Sequence, residues 1–524
     1  MVMGVPVVSC ARQSGQPPGD RVVRAWRVRA GSRVSGCAKR EALDECTERI
    51  KSMKQAHGLT TVIGSMVVIS MATVGGLVSA TQAGGEYFDV TTVFVAEEGY
   101  GGGGHDMEYY GSSSGVTGWS VGTTSCNRGN IVAPWYGGTD QTPVIAQNCY
   151  RYMDGRFEQI GMSWLKHSFC AVSEPGCDTW DGGGCEPTSC NTLGVGCADT
   201  YWADLNADAD APRSEINAYT GEYQYPFTLA PSGPSSIRGK MQLIPADIQP
   251  SANGGARYFV EGQYVEPGEY VYGVHMNNAS YKEVSFNSTS NTSGVGVTQH
   301  MIPGIYAWQV CDPAVVIQEV LTVEADGGQA LGHVGFRASD NGDGTWHYEY
   351  VVHNQNSHRS FRSFSVPVPD CVELTNIEFV DVHYHSGEVI EGTDWDFDRS
   401  NGEVNWSTQS ESANSNANAI RWATMYTFRF DADTSPISVD GSLGYYRSGP
   451  GDGVMFDLEA PGPDCGGGNE CPGDINGDNT VNVEDILDVL ADFGLDSGSG
   501  DADGDGDTDV EDLLLVIGEF GNDC

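Results

Sequence analysis

Two stretches near the C-terminus repeat one spacing of oxygen-bearing side chains, the second 27 positions after the first. At loop positions 1, 3, 5, 9 and 12 the first stretch carries Asp474, Asn476, Asp478, Asn482 and Asp485, and the second Asp501, Asp503, Asp505, Asp509 and Asp512. Position 7, which serves through its backbone carbonyl, is Thr480 or Asp507. A 12-residue loop with oxygens at these positions wraps a calcium ion, a hard cation that takes an all-oxygen shell. The spacing therefore predicts two Ca2+ sites. Position 6 needs a sharp turn, which Gly506 supplies in the second loop. Asn479 must supply it in the first, and Asn tolerates positive φ better than most residues. Each loop runs into a short apolar stretch that stops at Gly494 or Gly521. Ile486, Leu490 and Phe493 align with Leu513, Ile517 and Phe520 in an i, i+4, i+7 stripe. The pattern predicts two helices that bury these stripes on each other. A unit of roughly 50 residues has a weak core, which calcium would reinforce. Cys471 and Cys524 bracket the unit, and a disulfide between them would clamp its ends.

On these residues the C-terminal unit resembles a type I dockerin, a pair of calcium loop–helix repeats each closed by Asp at position 12, as Asp485 and Asp512 are here. The resemblance covers residues 471–524. It implies a cohesin-like or other extracellular protein partner, and attachment of a secreted body to a scaffold. Cohesin-recognising dockerins often carry Ser-Thr just after loop position 9, where this chain has Val483-Glu484 and Val510-Glu511.

Charge bounds the other partners. The chain holds 71 acidic and 27 basic side chains, a net of −44. The first 83 residues contain 11 of the basic and five of the acidic groups, leaving a net of −50 on the rest. Such a field repels phosphate backbones, which excludes nucleic acid as a partner class. Residues 1–52 are Arg-rich without a periodic apolar face and read as unstructured, or as an over-extended translation start. Residues 53–83 read as a signal peptide: Lys54 opens an uncharged apolar run over 59–78, with small residues before Ala80 and Ala83. The run is also about long enough to anchor the chain in a membrane if it is left uncleaved. Export places the 12 cysteines that follow it in an oxidising compartment. Cys170, Cys177, Cys185, Cys190 and Cys197 lack the short paired spacing of a zinc site and read as a disulfide-stapled loop.

Between signal and calcium unit, the 69 glycines of the chain and its short aromatic and β-branched runs predict a mostly β, multidomain protein. Residues 84–310 form a Cys-containing β-rich domain, with a strand over 257–265 that ends at the Pro267-Gly268 turn. Residues 311–458 form a β-sandwich-like domain. In it Trp346, Tyr348, Tyr350 and Val352 alternate with polar residues after an Asn341-Gly342 turn, and further strands fall at 364–368, 377–383 and 426–430. Cys311 and Cys371 are candidates to staple this domain. Residues 459–470, with Pro461, Pro463, Gly466, Gly467 and Gly468, read as a linker into a small all-α calcium unit. The body resembles an uncharacterised family of large secreted bacterial proteins over residues 122–127, 156–167 and 193–197, which implies export and no defined chemistry.

Other constellations are weaker. Asp204, Asn206, Asp208, Asp210 and Glu215 follow calcium-loop spacing, but Ala209 and Pro212 break the pattern, so a solvated acidic loop is expected. Asp381, His383 and His385 alternate and would share a strand face, as a transition-metal site or as a polar outer surface. Glu158, Glu261, Asp394 and Asp396 lie near aromatics and could pair for glycoside hydrolysis. No nucleophile elbow, phosphate loop or zinc-protease motif occurs, so no catalytic residue is assigned. The expected function is a secreted, calcium-binding protein that attaches a β-rich body to an extracellular scaffold or surface. Its alternatives are a dockerin-bearing polysaccharide-degrading hydrolase with its site in 84–310, and a structural protein of the cell envelope.

Overall fold

The computed structural model describes residues 85–97, 105–177, 183–463, 472–478, 480–495, 499–503 and 506–522. The expected signal peptide, the start of the chain, the Gly101–Gly104 run, Asn479, Asp505 and the Cys471–Cys524 clamp lie outside these residues. The protein is mostly β and multidomain, as its turn-rich sequence predicts. Among the described residues no helix is long and apolar enough to cross a membrane.

The first β region is built on a nine-stranded sheet. Its centre is the strand Arg257–Val265, paired antiparallel on one side with Val144–Met153 and on the other with Ala279–Ser288. A three-stranded sheet, Val90–Val95, Thr123–Asn127 and Ala198–Tyr201, lies against it. Gly262 lets the two sheets approach: a Cβ there would meet the Thr123 Cγ2 methyl at 2.8 Å. Three disulfides staple this region: Cys126–Cys177, Cys170–Cys190 and Cys185–Cys197. The predicted cysteine loop is therefore bridged twice internally and once to the neighbouring sheet.

The second β region is a sandwich of two five-stranded antiparallel sheets. One runs, in spatial order, Val316–Val323, Gln329–Asp340, Trp346–Asn354, Thr424–Ala432 and Leu374–Val380. The other runs Asp396–Ser400, Glu403–Ser407, Phe361–Pro367, Pro436–Tyr445 and Gly453–Pro461. Alternation sends Tyr348, Tyr350, Phe364, Trp406, Phe428 and Phe430 inward from both sheets. Their rings pack tilted or stacked, Phe364 lying 4.8 Å from Phe428 and Trp406 5.4 Å from Phe428 at tilted angles, with Trp406 stacked on Phe430 at 6.3 Å.

Three expectations are corrected here. Cys311 is a free thiol and Cys371 is disulfide-bonded elsewhere, so the two do not staple the sandwich. The linker does not begin at 459: Glu459, Ala460 and Pro461 close the strand Gly453–Pro461. Pro461 is tolerated because it ends a strand at the edge of its sheet, where its missing N–H breaks no ladder. The strand expected over 377–383 is Leu374–Val380, and Asp381, His383 and His385 follow it in irregular chain.

The two β regions share an interior. Arg213 is almost fully buried and donates to the carbonyls of Ser163 at 2.7 Å, Gln147 at 2.9 Å and Ala423 at 3.1 Å. Arg429, 1% exposed, reaches Glu349 at 3.0 Å and Glu378 at 3.1 Å within the sandwich, and Glu158 of the first region at 2.8 Å.

Candidate metal centre

At the C-terminus each acidic loop leads into a ten-residue helix, Val483–Asp492 or Val510–Glu519. Both helices start at a capping box. The Asn482 side chain accepts from Glu484 N at 2.8 Å while Asp485 accepts from Asn482 N at 2.8 Å. In the second repeat Asp509 accepts from Glu511 N at 2.7 Å, and Asp512 from Asp509 N at 2.7 Å. The closing aspartate of each loop thus does two jobs: it is loop position 12 and the third residue of the helix.

Within each loop the carboxylates draw the backbone around themselves. Asp474 Oδ1 accepts from Gly477 N at 3.0 Å and Asp478 N at 3.1 Å, and Asp485 also accepts from Asn476 N at 3.1 Å. In the second loop Asp512 Oδ1 accepts from Ala502 N at 2.7 Å and Asp503 N at 3.2 Å, and Asp501 accepts from Gly506 N at 3.0 Å. Gly506 has φ +99°, the turn expected of position 6. Oxygens of Asp501, Asp503 and Asp512 come within 4.8 Å of one another, and no other group of three or more His, Cys, Asp or Glu converges this way among the described residues. Burial works against ionisation of Asp512, but the backbone N–H groups of Asp509, Asp503 and Ala502 outweigh it and hold its carboxyl below the usual range. An oxygen-only set with the spread of one small ion fits a hard divalent cation.

The loops are clasped crosswise. Gly494, past the end of the first helix, donates to Thr508 O at 2.7 Å in the second loop, and Thr508 N donates to Leu495 O at 3.0 Å. Gly521, past the second helix, donates to Val481 O at 2.8 Å in the first loop, and Val481 N donates to Asn522 O at 3.0 Å. Each loop is therefore held by the end of the other repeat's helix.

The predicted apolar stripe is only partly the buried one. The core is Val481, Val489 and Val516, with Ile475, Ile486, Ala502 and Leu513 packed on it. Leu490, Phe493, Ile517 and Phe520 lie half exposed on the surface. The closing carboxylates decide the rotation. Asp485 and Asp512 must face their loops and are buried, and the residues one turn on, Val489 and Val516, share that face. A second stripe is left outside: Val483, Leu487 and Leu490 on the first helix are 56%, 57% and 50% exposed, and Val510, Leu514 and Ile517 on the second 52%, 61% and 52%. Sequence reasoning missed this stripe, although the same i, i+4, i+7 spacing recurring 27 residues later was its signal.

The remaining candidates are engaged elsewhere. Asn206 is buried and donates to Val121 O at 2.9 Å and Thr123 Oγ1 at 3.0 Å, while Asp204, Asp208 and Asp210 are exposed. Glu215 accepts from Thr228 N at 2.8 Å and Leu229 N at 2.7 Å, which organises the 228–229 turn. Asp381 accepts from Asn418, and burial pushes its carboxyl up to about 6. His385 packs on Trp164 with ring centres 5.5 Å apart, and His383 is exposed. Glu158 pairs with Arg151 at 2.9 Å and with Arg429. Glu261 is fully buried and accepts from Asn148 at 2.7 Å, Tyr150 at 2.9 Å and Gly304 N at 2.6 Å. Asp394 and Asp396 are exposed. Glu158 and Glu261 are thus each held by partners of the body's interior.

No family model and no curated protein matches the chain. Two solved structures resemble it weakly. The C-terminal domain of the Streptococcus pyogenes antigen I/II-family protein AspA is 10% identical, with 72% of this chain and 99% of that chain covered and a TM-score of 0.16. The N-terminal domain of the Streptococcus gordonii adhesin Sgo0707 is 8% identical, with 72% and 96% covered and a TM-score of 0.17. At these TM-scores neither likeness bears on the fold or the function of this chain.

Proposed function

We propose that this is an exported docking protein whose C-terminal unit binds two calcium ions and presents a duplicated apolar surface to an extracellular, cohesin-like partner. Asp474, Asn476, Asp478, Asn482 and Asp485 would hold one ion with the Thr480 carbonyl, and Asp501, Asp503, Asp505, Asp509 and Asp512 the other with the Asp507 carbonyl. Bound calcium would offset the mutual repulsion of the carboxylates in each loop. The observation that carries the reading is the convergence of Asp501, Asp503 and Asp512 beneath a helix whose outer stripe is apolar and exposed. Among the described residues the exposed leucines of both repeats lie outside the core, and exposed apolar surface of this kind marks a protein interface. The Cys126–Cys177, Cys170–Cys190 and Cys185–Cys197 disulfides of the body suit the oxidising space such a partner occupies.

The test is capture by the immobilised full chain from secreted and surface proteins, in calcium and in chelator. A single partner retained only in calcium is expected, and it should be lost in Leu487→Asp/Leu514→Asp, which keeps the calcium ligands. Capture indifferent to chelator, or unchanged in that variant, would overturn the reading.

A further inference from the structure

The sandwich has a second surface with the marks of a binding site, far in chemistry from the calcium loops. Its two sheets end on one flank in the strands Val316–Val323 and Gly453–Pro461, each the last strand of its sheet. Among the described residues no strand pairs with their outer edges, and side chains engage them only towards their C-terminal ends, where Val323 N donates to Tyr445 Oη at 3.0 Å and Tyr350 Oη donates to Glu459 O at 2.8 Å. Exposed edges are normally blunted by lysine, proline or a bulge. These two have no lysine, and proline occurs only at Pro461, the last residue of its strand. Both pair with their inner neighbours without a register shift, over eight and nine residues. They also carry exposed apolar side chains: Leu321 is 46% and Met455 66% exposed, with Val316 and Val323 beside them.

Between the edges lies a cleft of about 380 Å³. Its apolar floor includes Val320, Val454 and Phe456, and its charged lining is Glu319, Asp440 and Asp457, with no Lys or Arg. Asp440 and Asp457 stand directly opposite each other in the ladder, a like-charge placement that costs stability unless a cation relieves it. These carboxylates do not gather within 4.8 Å of one another as the Asp501 set does. The cleft therefore suits positive charges spread along a chain better than one metal ion. A second copy of this protein would bring its own acids to the same place and be repelled.

We propose that this flank takes up an extended peptide segment of a partner protein by strand addition, its backbone pairing with an open edge, its apolar side chains on Leu321 and Met455, and its lysines or arginines against Glu319, Asp440 and Asp457. Strand addition draws affinity from main-chain hydrogen bonds and selectivity from alternate side chains. The occupant is basic and apolar in alternation.

The test measures binding of a fluorescent octapeptide alternating lysine and valine to the full chain, at low and moderate salt. Two further probes are the same peptide N-methylated at every second amide and a glutamate–valine octapeptide. Binding of the lysine peptide alone is expected, with Glu319→Lys/Asp457→Lys weakening it about tenfold or more. That variant changes exposed side chains, and a melting curve confirms that it folds. Met455→Ser is a second variant, expected to weaken binding without altering the charge of the cleft. Equal binding of the N-methylated peptide would overturn strand addition. Binding unchanged by the charge reversal would show attraction to the diffuse acidic field and overturn the site. No binding of any peptide, or a concentration-dependent dimer abolished by Glu319→Lys/Asp457→Lys, would overturn the proposed occupant.

Discussion

The crosswise clasp of the C-terminal repeats makes a prediction that a simple pair of independent loops does not. Asp512→Ala removes a carboxylate that accepts three backbone N–H groups, from Ala502, Asp503 and Asp509. Hydrogen bonds to a charged group are each worth about 1.5–3 kcal/mol net. Three bonds sharing one carboxylate are not additive, so the loss is set at about 3–5 kcal/mol. A unit of roughly 50 residues has about 2.5–7.5 kcal/mol of stability in all. The substitution should therefore open most of it, and the damage should cross to the other repeat. Gly521 holds Val481 of the first loop, and Thr508 of the second loop holds Gly494 and Leu495 after the first helix. Hydrogen exchange on the full chain reads this directly. Amides of 480–495 should lose protection together with those of 506–522, while the body, 105–463, exchanges as before. Because the Asp512 carboxyl is held below its ordinary value of 3.8, its contribution is present above that pH and is lost as pH falls through it. Loss of protection confined to the second repeat would refute the clasp as the element that couples the two.

The two loops should also differ in affinity. The second offers five side-chain carboxylates and the first three plus Asn476 and Asn482. A calcium titration of the full chain should thus show two unequal steps, with Asp503→Asn/Asp509→Asn bringing them together. Arg429→Met leaves Glu349 and Glu158 facing an empty place in the interior and should cost about 3–5 kcal/mol in urea unfolding, of which adding Glu349→Leu should return about 2 kcal/mol or more. Glu266 is buried with neither carboxylate oxygen hydrogen-bonded among the described residues, and burial, then Glu269, raise its carboxyl well above 4.5. Its folded form favours the proton, so its contribution is full below that pH and falls as pH rises. Glu266→Gln should flatten this slope and raise the unfolding midpoint at neutral pH more than at pH 4.

Local signals were legible where one face or one turn set the answer. The strand Arg257–Val265 was read to the residue because Tyr258, Phe259, Val260, Tyr264 and Val265 gather just ahead of a Pro-Gly turn. The two loop–helix repeats were read because one spacing recurs 27 residues later. The face each helix buries was not, since Leu490 and Val489 are equally apolar. The choice between them is made by Asp485, whose carboxylate must point into the loop and turns Val489 inward with it. Disulfide partners were illegible for a related reason: Cys126 meets Cys177 across 51 residues, a pairing fixed by the sheet and not by spacing. His385 followed the alternation of a strand, yet it serves as a packing partner for Trp164 of the other β region.

That last contact shows where reading by segments fails most. A seam near residue 311 is real along the chain, because the strands before it join one set of sheets and the strands after it join others. It is not a seam in the interior. Trp422 and Ala423 of the sandwich pack with Val144, Leu165 and Val265 of the first region, and Met425 and Val351 pack with Tyr150, Phe157 and Trp308. Polar groups cross the same boundary in satisfied sets: Gln159 accepts from Met425 N at 2.8 Å, Trp422 donates to Arg213 O at 3.2 Å, and Glu158 meets Arg429. Separating the halves would strand a buried Arg429 without one of its carboxylates and a buried Arg213 without one of its carbonyls, on top of exposing both apolar clusters. Desolvated charges without partners cost several kcal/mol each. The two β regions therefore stand or fall as one body, and any partner of the proposed docking unit would receive that body whole, with the edges of its sandwich included.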